Sequence, residues 1–218
     1  MEATSINIQK YNRLCRHYEI VANSCYSTRL HMAHALSDDY FPSIISALIV
    51  FDMQRQMGSG LASKYDKSSN GFANRLSNVL ESQAQTLYKL EMESIHTIDF
   101  AKYQNDIHAV YEALACNGGL TGSEKLFHVG ATKILHFIHP NLFPIVDSNS
   151  AAVLRDKFHI LYKKTGQQDY TKEKYIASME KIQKYILGFG VDRFQLLEPG
   201  TPLTRIFDKL AFVCGSGI

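Results

Sequence analysis

The chain has 218 residues, 45% of them hydrophobic and 20% charged, with a formal net charge of only +2. That length holds one large domain or two small lobes. The apolar share is too high for a disordered chain, and the small net charge excludes a polycation. No run approaches the roughly 20 apolar residues of a membrane span. The opening Met1-Glu2-Ala3-Thr4-Ser5 lacks the basic-then-apolar order of a secretory signal, so the expected location is the cytoplasm. The four cysteines, Cys15, Cys25, Cys116 and Cys214, form no C-x-x-C pair. Neither a zinc nor an iron–sulfur site is expected from that spacing, and no cofactor is expected.

Helical periodicity runs almost from end to end. Ile6 to Val21 reads as an amphipathic helix, with a second piece from Tyr26 to Leu36. Ser37-Asp38-Asp39 is a cap for a helix carrying Ile44, Ile45, Leu48, Ile49 and Met53, ended by Gly58. Gly58 to Asn70 is rich in Gly and Ser and reads as a loop. Phe72 to Leu90 and Phe100 to Leu114 are two further helices, the second closed by Gly118-Gly119. Thr121 or Ser123 opens a short helix. Beyond Asp147 lie a helix through Leu161, a turn at Thr165-Gly166-Gln167-Gln168, and a helix capped by Thr171 that ends at Gly188-Phe189-Gly190. Glu198-Pro199-Gly200-Thr201-Pro202 separates that helix from a last one, Leu203 to Phe212. With no run of alternating strands, the fold class is all-α with about ten helices. It forms either one domain or two lobes, 1–118 and 119–218, around a cleft.

The segment Lys125 to Phe158 carries the chemistry. It reads as a short helix, a tight hairpin (His128-Val129-Gly130-Ala131), a second helix, a Pro-bounded loop, and Asp147 at the start of a third helix. Gly130 suits close backbone approach and unusual dihedrals. The amides of Gly130, Ala131 and Thr132 are the expected unpaired donors at the second helix's start, a favourable place for a phosphate. Lys133 can add a charge-assisted contact. Between Lys125 and Lys164, Lys125, Lys133, Arg155, Lys157, Lys163 and Lys164 stand against Asp147 and Asp156. Such a local basic surface suits nucleic acid, although an ordinary solvated face has the same charges.

These residues resemble the helix-hairpin-helix DNA glycosylases, whose hairpin reads L-P-G-V-G-x-K and is followed by V-D at a later helix start. Leu126-Phe127-His128-Val129-Gly130 stands where L-P-G-V-G stands, and Val146-Asp147-Ser148-Asn149 where V-D-T-H stands. The resemblance covers roughly residues 121 to 160. In wording, Gly130 to His136 and Pro140 to Ser148 are also similar to small bacterial proteins carrying G-A-T-K-x-L-H and P-x-L-F-P-I-x-D-S, some of them tied to phage defence.

The resemblance implies a glycosylase-like helical fold acting on double-stranded DNA with a flipped-out base. Asp147 would stabilise the charge developing on the sugar or activate water. His128, Val129, Gly130, Ala131, Thr132, Lys133, Ser148, Asn149 and Arg155 would contact DNA, and Lys133 or His136 would support catalysis. A monovalent cation between the 128–131 carbonyls and phosphate is implied too. Phe127 and His128 replace the family's Pro and first Gly. Thr132 stands at the position of the lyase lysine, which points to a monofunctional enzyme leaving an abasic site.

Plainer readings stand beside these. Asp147 alone is a good helix cap, His136 and His139 suit packing or surface, and Arg155 and Lys157 face either solvent or DNA backbone. Asp52 and Arg55 read as a buried ion pair or pocket lining. Residues 198–202 read as a connector, and Arg205, Asp208 and Lys209 as a solvated helix face. The alternatives to a glycosylase are a non-catalytic DNA-binding module and a helical protein-interaction subunit.

Overall fold

A computed structural model describes residues 1–28, 41–51, 71–116, 120, 127–160, 162 and 170–217, and every structural statement below concerns these. They form ten helices and no strand, as expected of an all-α chain. The expected cap at 37–39, the loop 58–70, Asp52, Arg55, the stop at 118–119, the short helix from 121 or 123 and the turn at 165–168 lie outside the described residues.

The first expected helix is two: α1 (Ser5–Leu14) and α2 (Arg16–Thr28). Thr4 caps α1 by accepting the Asn7 amide at 3.3 Å. The break at Cys15 lets two apolar faces serve different partners. Ile8 and Tyr11 of α1 are buried on the side of the last helix, while α2 lies along α3 (Phe41–Val50). α4 (Phe72–Leu90) pairs with α5 (Phe100–Ala115), whose N-cap Asp99 accepts the Ala101 and Lys102 amides. α6 (His128–Ile138) packs on α5, α3 and α2. α7 is Ser148–Phe158, and Thr171 caps α8 (Lys172–Phe189) as the sequence indicates. Gly190, at φ 93°, ends α8 and admits a short α9 (Val191–Gln195) that the periodicity did not announce. α10 (Leu203–Ser216) continues beyond Phe212 and lies against α7 and α1. The main apolar cluster extends from Ile8 to Ala211 and draws on both sides of residue 118.

The polar stripe of α10 is a correction to the sequence reading. Arg205, Asp208 and Lys209 are buried, not solvated. Arg205 pairs with Asp208 and Glu19 and donates to the Tyr11 hydroxyl at 2.8 Å. Lys209 pairs with Glu19, with Glu198 at 2.6 Å, and with the Asn12 side-chain oxygen at 3.0 Å. Asn12 donates back to Glu198 at 2.7 Å. On α10 alone the three charges have the spacing of a wet face. Their partners arrive from α1, α2 and the 198–202 segment, which is therefore anchored through Glu198. A network buried this deeply survives only when each charge is met by opposite charges and hydrogen bonds.

Burial pushes the Asp208 carboxyl up to about 7, against the opposing pull of Arg205. Burial also works against the Glu19 carboxylate, yet Arg205 and Lys209 hold it below its usual range. The folded value of Asp208 lies above that of an unfolded aspartate, so its contribution is complete below about pH 4 and is lost as pH rises through about 7. Urea unfolding of wild type and Asp208→Asn tests this. The wild-type advantage should shrink as pH rises, by up to about 1.4 kcal/mol per pH unit. An advantage that grows with pH would mean that Arg205 keeps the carboxylate ionised throughout.

Candidate functional site

Residues 128–131 are not a hairpin but the first turn of α6, whose N-cap is Phe127. The aromatic side chain explains the shift. Phe127 is buried, its ring meets Phe72 at 5.7 Å between centroids, and its amide bonds the Ala115 carbonyl at 2.9 Å. It makes no side-chain cap, and the amides of the first turn have no partner within the helix itself. The Ala131 amide already bonds the Phe127 carbonyl at 2.8 Å, and Thr132 follows it in the ladder. The helix start therefore lies two residues earlier than the sequence suggested. Gly130 is not among the glycines with positive φ. Its need for a bare Cα is steric: a Cβ there would sit 2.1 Å from the Phe127 ring. Of the 128–131 carbonyls expected to hold a cation, that of Val129 accepts the Thr132 hydroxyl, and the carbonyls of a helix's first turn point along it toward the amides four residues on.

Ala131, Thr132 and Lys133 are buried and cannot touch a DNA backbone as expected. Their side chains were assigned outward because a hairpin would expose them, whereas the middle of α6 is enclosed by α5, α3 and α2. Lys133 points inward, donates to the Phe51 carbonyl at 2.8 Å and lies 5.5 Å from the Phe51 ring centre. Its positive charge also acts on Asp208. His136 is fully buried: Nδ1 donates to the Phe143 carbonyl at 2.8 Å, and Nε2 meets the Tyr26 hydroxyl at 2.5 Å. It is a packing histidine rather than catalytic support. His139 likewise bonds the Leu90 carbonyl.

Thr132 brings the two halves of the motif together. Its hydroxyl donates to the Val129 carbonyl at 2.9 Å and accepts the Val146 amide at 3.2 Å. The first turn of α6 is thus tied to the residue before Asp147. Asp147 is partly exposed and caps α7, with Oδ1 accepting the Asn149 amide (2.9 Å), the Ser150 amide (3.1 Å) and the Ser150 hydroxyl (3.0 Å). The Asp147 amide returns to Ser150 Oγ at 3.3 Å, closing a capping box. Among the described residues no hydrogen bond reaches Oδ2. Ser148 is exposed and Asn149 partly so. Arg155 chelates neighbouring Asp156 at 2.8 and 3.0 Å.

Two contributors had no signal in the chain order. Gly215 of α10 lies so close to α7 that a Cβ would be 2.6 Å from the Asn149 carbonyl oxygen. A ladder of rings, Tyr175, Tyr111, His128 and Tyr170, stacks beside the first turn of α6. A pocket of about 300 Å³, lined by Ser94, His96, Asn141, Gln195 and residues 200–203, shares no residue with this site. Among the described residues no group of His, Cys, Asp and Glu has metal-binding geometry.

Compared with known proteins, the chain matches no family model, no curated protein and no solved structure. For Lys133→Met, a buried role predicts a loss of about 1–3 kcal/mol in unfolding free energy. It also predicts no change in the salt slope of any DNA binding. A slope reduced by about one, with stability unaltered, would restore the phosphate-contact role.

Proposed function

We propose that the chain is a DNA glycosylase of helix-hairpin-helix type that hydrolyses the bond between a modified or damaged base and its deoxyribose. It would leave an abasic site and use no Schiff-base lysine. The observation that carries the proposal is the placement of Asp147. This partly exposed carboxylate, oriented by three hydrogen bonds to one oxygen, stands beside the N-terminus of α6, to which Thr132 ties it.

The chemistry follows from that pairing. The positive end of α6 favours a DNA phosphate. The free oxygen of Asp147 would face the sugar of a base flipped from the duplex. As the base leaves, positive charge develops on the sugar, and a fixed carboxylate stabilises it or orients water. Lys133, held by Phe51, is not placed for a covalent imine, which favours the monofunctional outcome. Of the proposed DNA contacts, the partly exposed His128, Val129 and Asn149 and the exposed Ser148 remain near the site. Oxidised or alkylated purines suit a repair enzyme, and a bulky modified cytosine suits phage defence.

A non-catalytic DNA-binding module is the second reading, favoured by the complete capping box on Asp147. Asp147→Asn separates the two, because asparagine caps a helix about as well as aspartate. Duplexes carrying an oxidised purine, an alkylated purine or a bulky 5-substituted cytosine would be incubated with each protein and cleaved in alkali. Base release by wild type should fall at least about 100-fold in the variant, with duplex binding and melting temperature retained. Binding without release on every substrate would favour the module, and neither binding nor release would reject both readings.

A further inference from the structure

Tyr170 belongs to the ring ladder beside the first turn of α6 but differs from its neighbouring tyrosines in one respect. The Tyr111 hydroxyl meets His128 Nδ1 at 3.0 Å, the Tyr162 hydroxyl meets Ser178 Oγ at 2.7 Å, and the Tyr175 hydroxyl donates to the Pro144 carbonyl at 3.1 Å. The Tyr170 residue is 8% exposed, and its buried hydroxyl has no hydrogen-bond partner. A buried polar group left this way costs stability, and such groups in a folded protein call for a reason.

Its position supplies one. The Tyr170 ring stacks on His128, the first residue of α6, at 6.0 Å between centroids, and leans on Tyr162 at 5.2 Å. The Asp147 carboxylate is near enough for its charge to act on the phenol. Burial first, and that negative charge second, push the phenol's pKa up, so the group remains a donor at any physiological pH. A buried donor without a partner thus sits beside the first turn of α6, stacked on its first residue and within the influence of the Asp147 charge.

We propose that Tyr170 is a substrate-contact residue, its hydroxyl donating to an acceptor oxygen or nitrogen of the nucleotide lodged against Asp147. The inference rests on the glycosylase reading of Asp147 and adds a contact residue that the motif does not contain. The acceptor is either on the base or on its sugar–phosphate, and the chemistry is the same for both. The hydrogen bond forms when the nucleotide enters, offsetting the cost of the unpartnered donor and favouring the flipped-out state.

Tyr170→Phe removes the hydroxyl and keeps the ring. Melting temperature, duplex affinity by fluorescence anisotropy, and kcat and KM for base release would be measured for wild type, Tyr170→Phe and Tyr162→Phe. The binding probes are an unmodified duplex and one with a tetrahydrofuran abasic analogue. The kinetic probe is whichever modified duplex the wild type cleaves. Tyr170→Phe should melt no lower than wild type, while Kd or KM for the lesion-bearing duplex rises roughly tenfold. Tyr162→Phe, which breaks a satisfied hydrogen bond, should melt lower and bind as wild type does. A loss confined to base-bearing duplexes assigns the acceptor to the base, and a loss with the abasic analogue too assigns it to the sugar–phosphate. Unchanged Kd, KM and kcat in Tyr170→Phe, or a loss matched by a lower melting temperature, would overturn this role and leave Asp147 standing. Failure of the wild type to bind or release would overturn both.

Discussion

Nine consecutive residues of α6, Gly130 to Ile138, are buried, and among them are a lysine, a histidine and a threonine. A helix enclosed on all sides cannot send these groups to water, so each must be met by the protein, at a cost of several kcal/mol if it is not. The solutions link α6 to its surroundings: Lys133 to the end of α3, His136 to α2 and to Phe143, and Thr132 to the residue before Asp147. The polar groups that a solvated helix would waste thereby become fixed joints. Through them the site inherits the rigidity of the core, which the proposed charge-stabilising role of Asp147 requires.

In the proposed mechanism, capping and chemistry share the Asp147 side chain. The cap engages Oδ1 alone, which fixes the carboxyl plane and leaves the second oxygen without a hydrogen bond among the described residues. A carboxyl group at the start of α7 is also favourably placed against that helix's positive end. Beneath it, α10 approaches the first turn of α7 at Gly215, closely enough to exclude any side chain. α10 is in turn held by the buried charges of Arg205, Asp208 and Lys209 against α1, α2 and Glu198. Replacing one partner of such a network leaves a buried charge uncompensated, so damage distant from Asp147 would still be transmitted to it.

Much of the helical framework was legible in the chain. Apolar spacing and caps marked Phe72 to Leu90, Phe100 to Ala115 and Lys172 to Phe189, and Asp147 and Thr171 do cap the helices that follow them. These are local matters, decided by side chains within a turn or two of one another. The hairpin at 128–131 was misplaced because its expectation came from a motif in which Pro and Gly stand where this chain has Phe127 and His128. Phe127 anchors in the core and draws the helix start forward.

The inward course of Lys133 and the burial of Arg205 and Lys209 could not be read from spacing. A charged residue on a helix looks outward in sequence whether its partner is water or a carboxylate nearly 190 positions away, as Glu19 is from Arg205. The same holds for the Tyr170 ring against His128 and for Gly215 beneath Asn149. Helix identity and capping are short-range and survive in the order of residues. Which charge is desolvated, which ring stacks and which glycine admits a neighbour depend on elements brought together by folding.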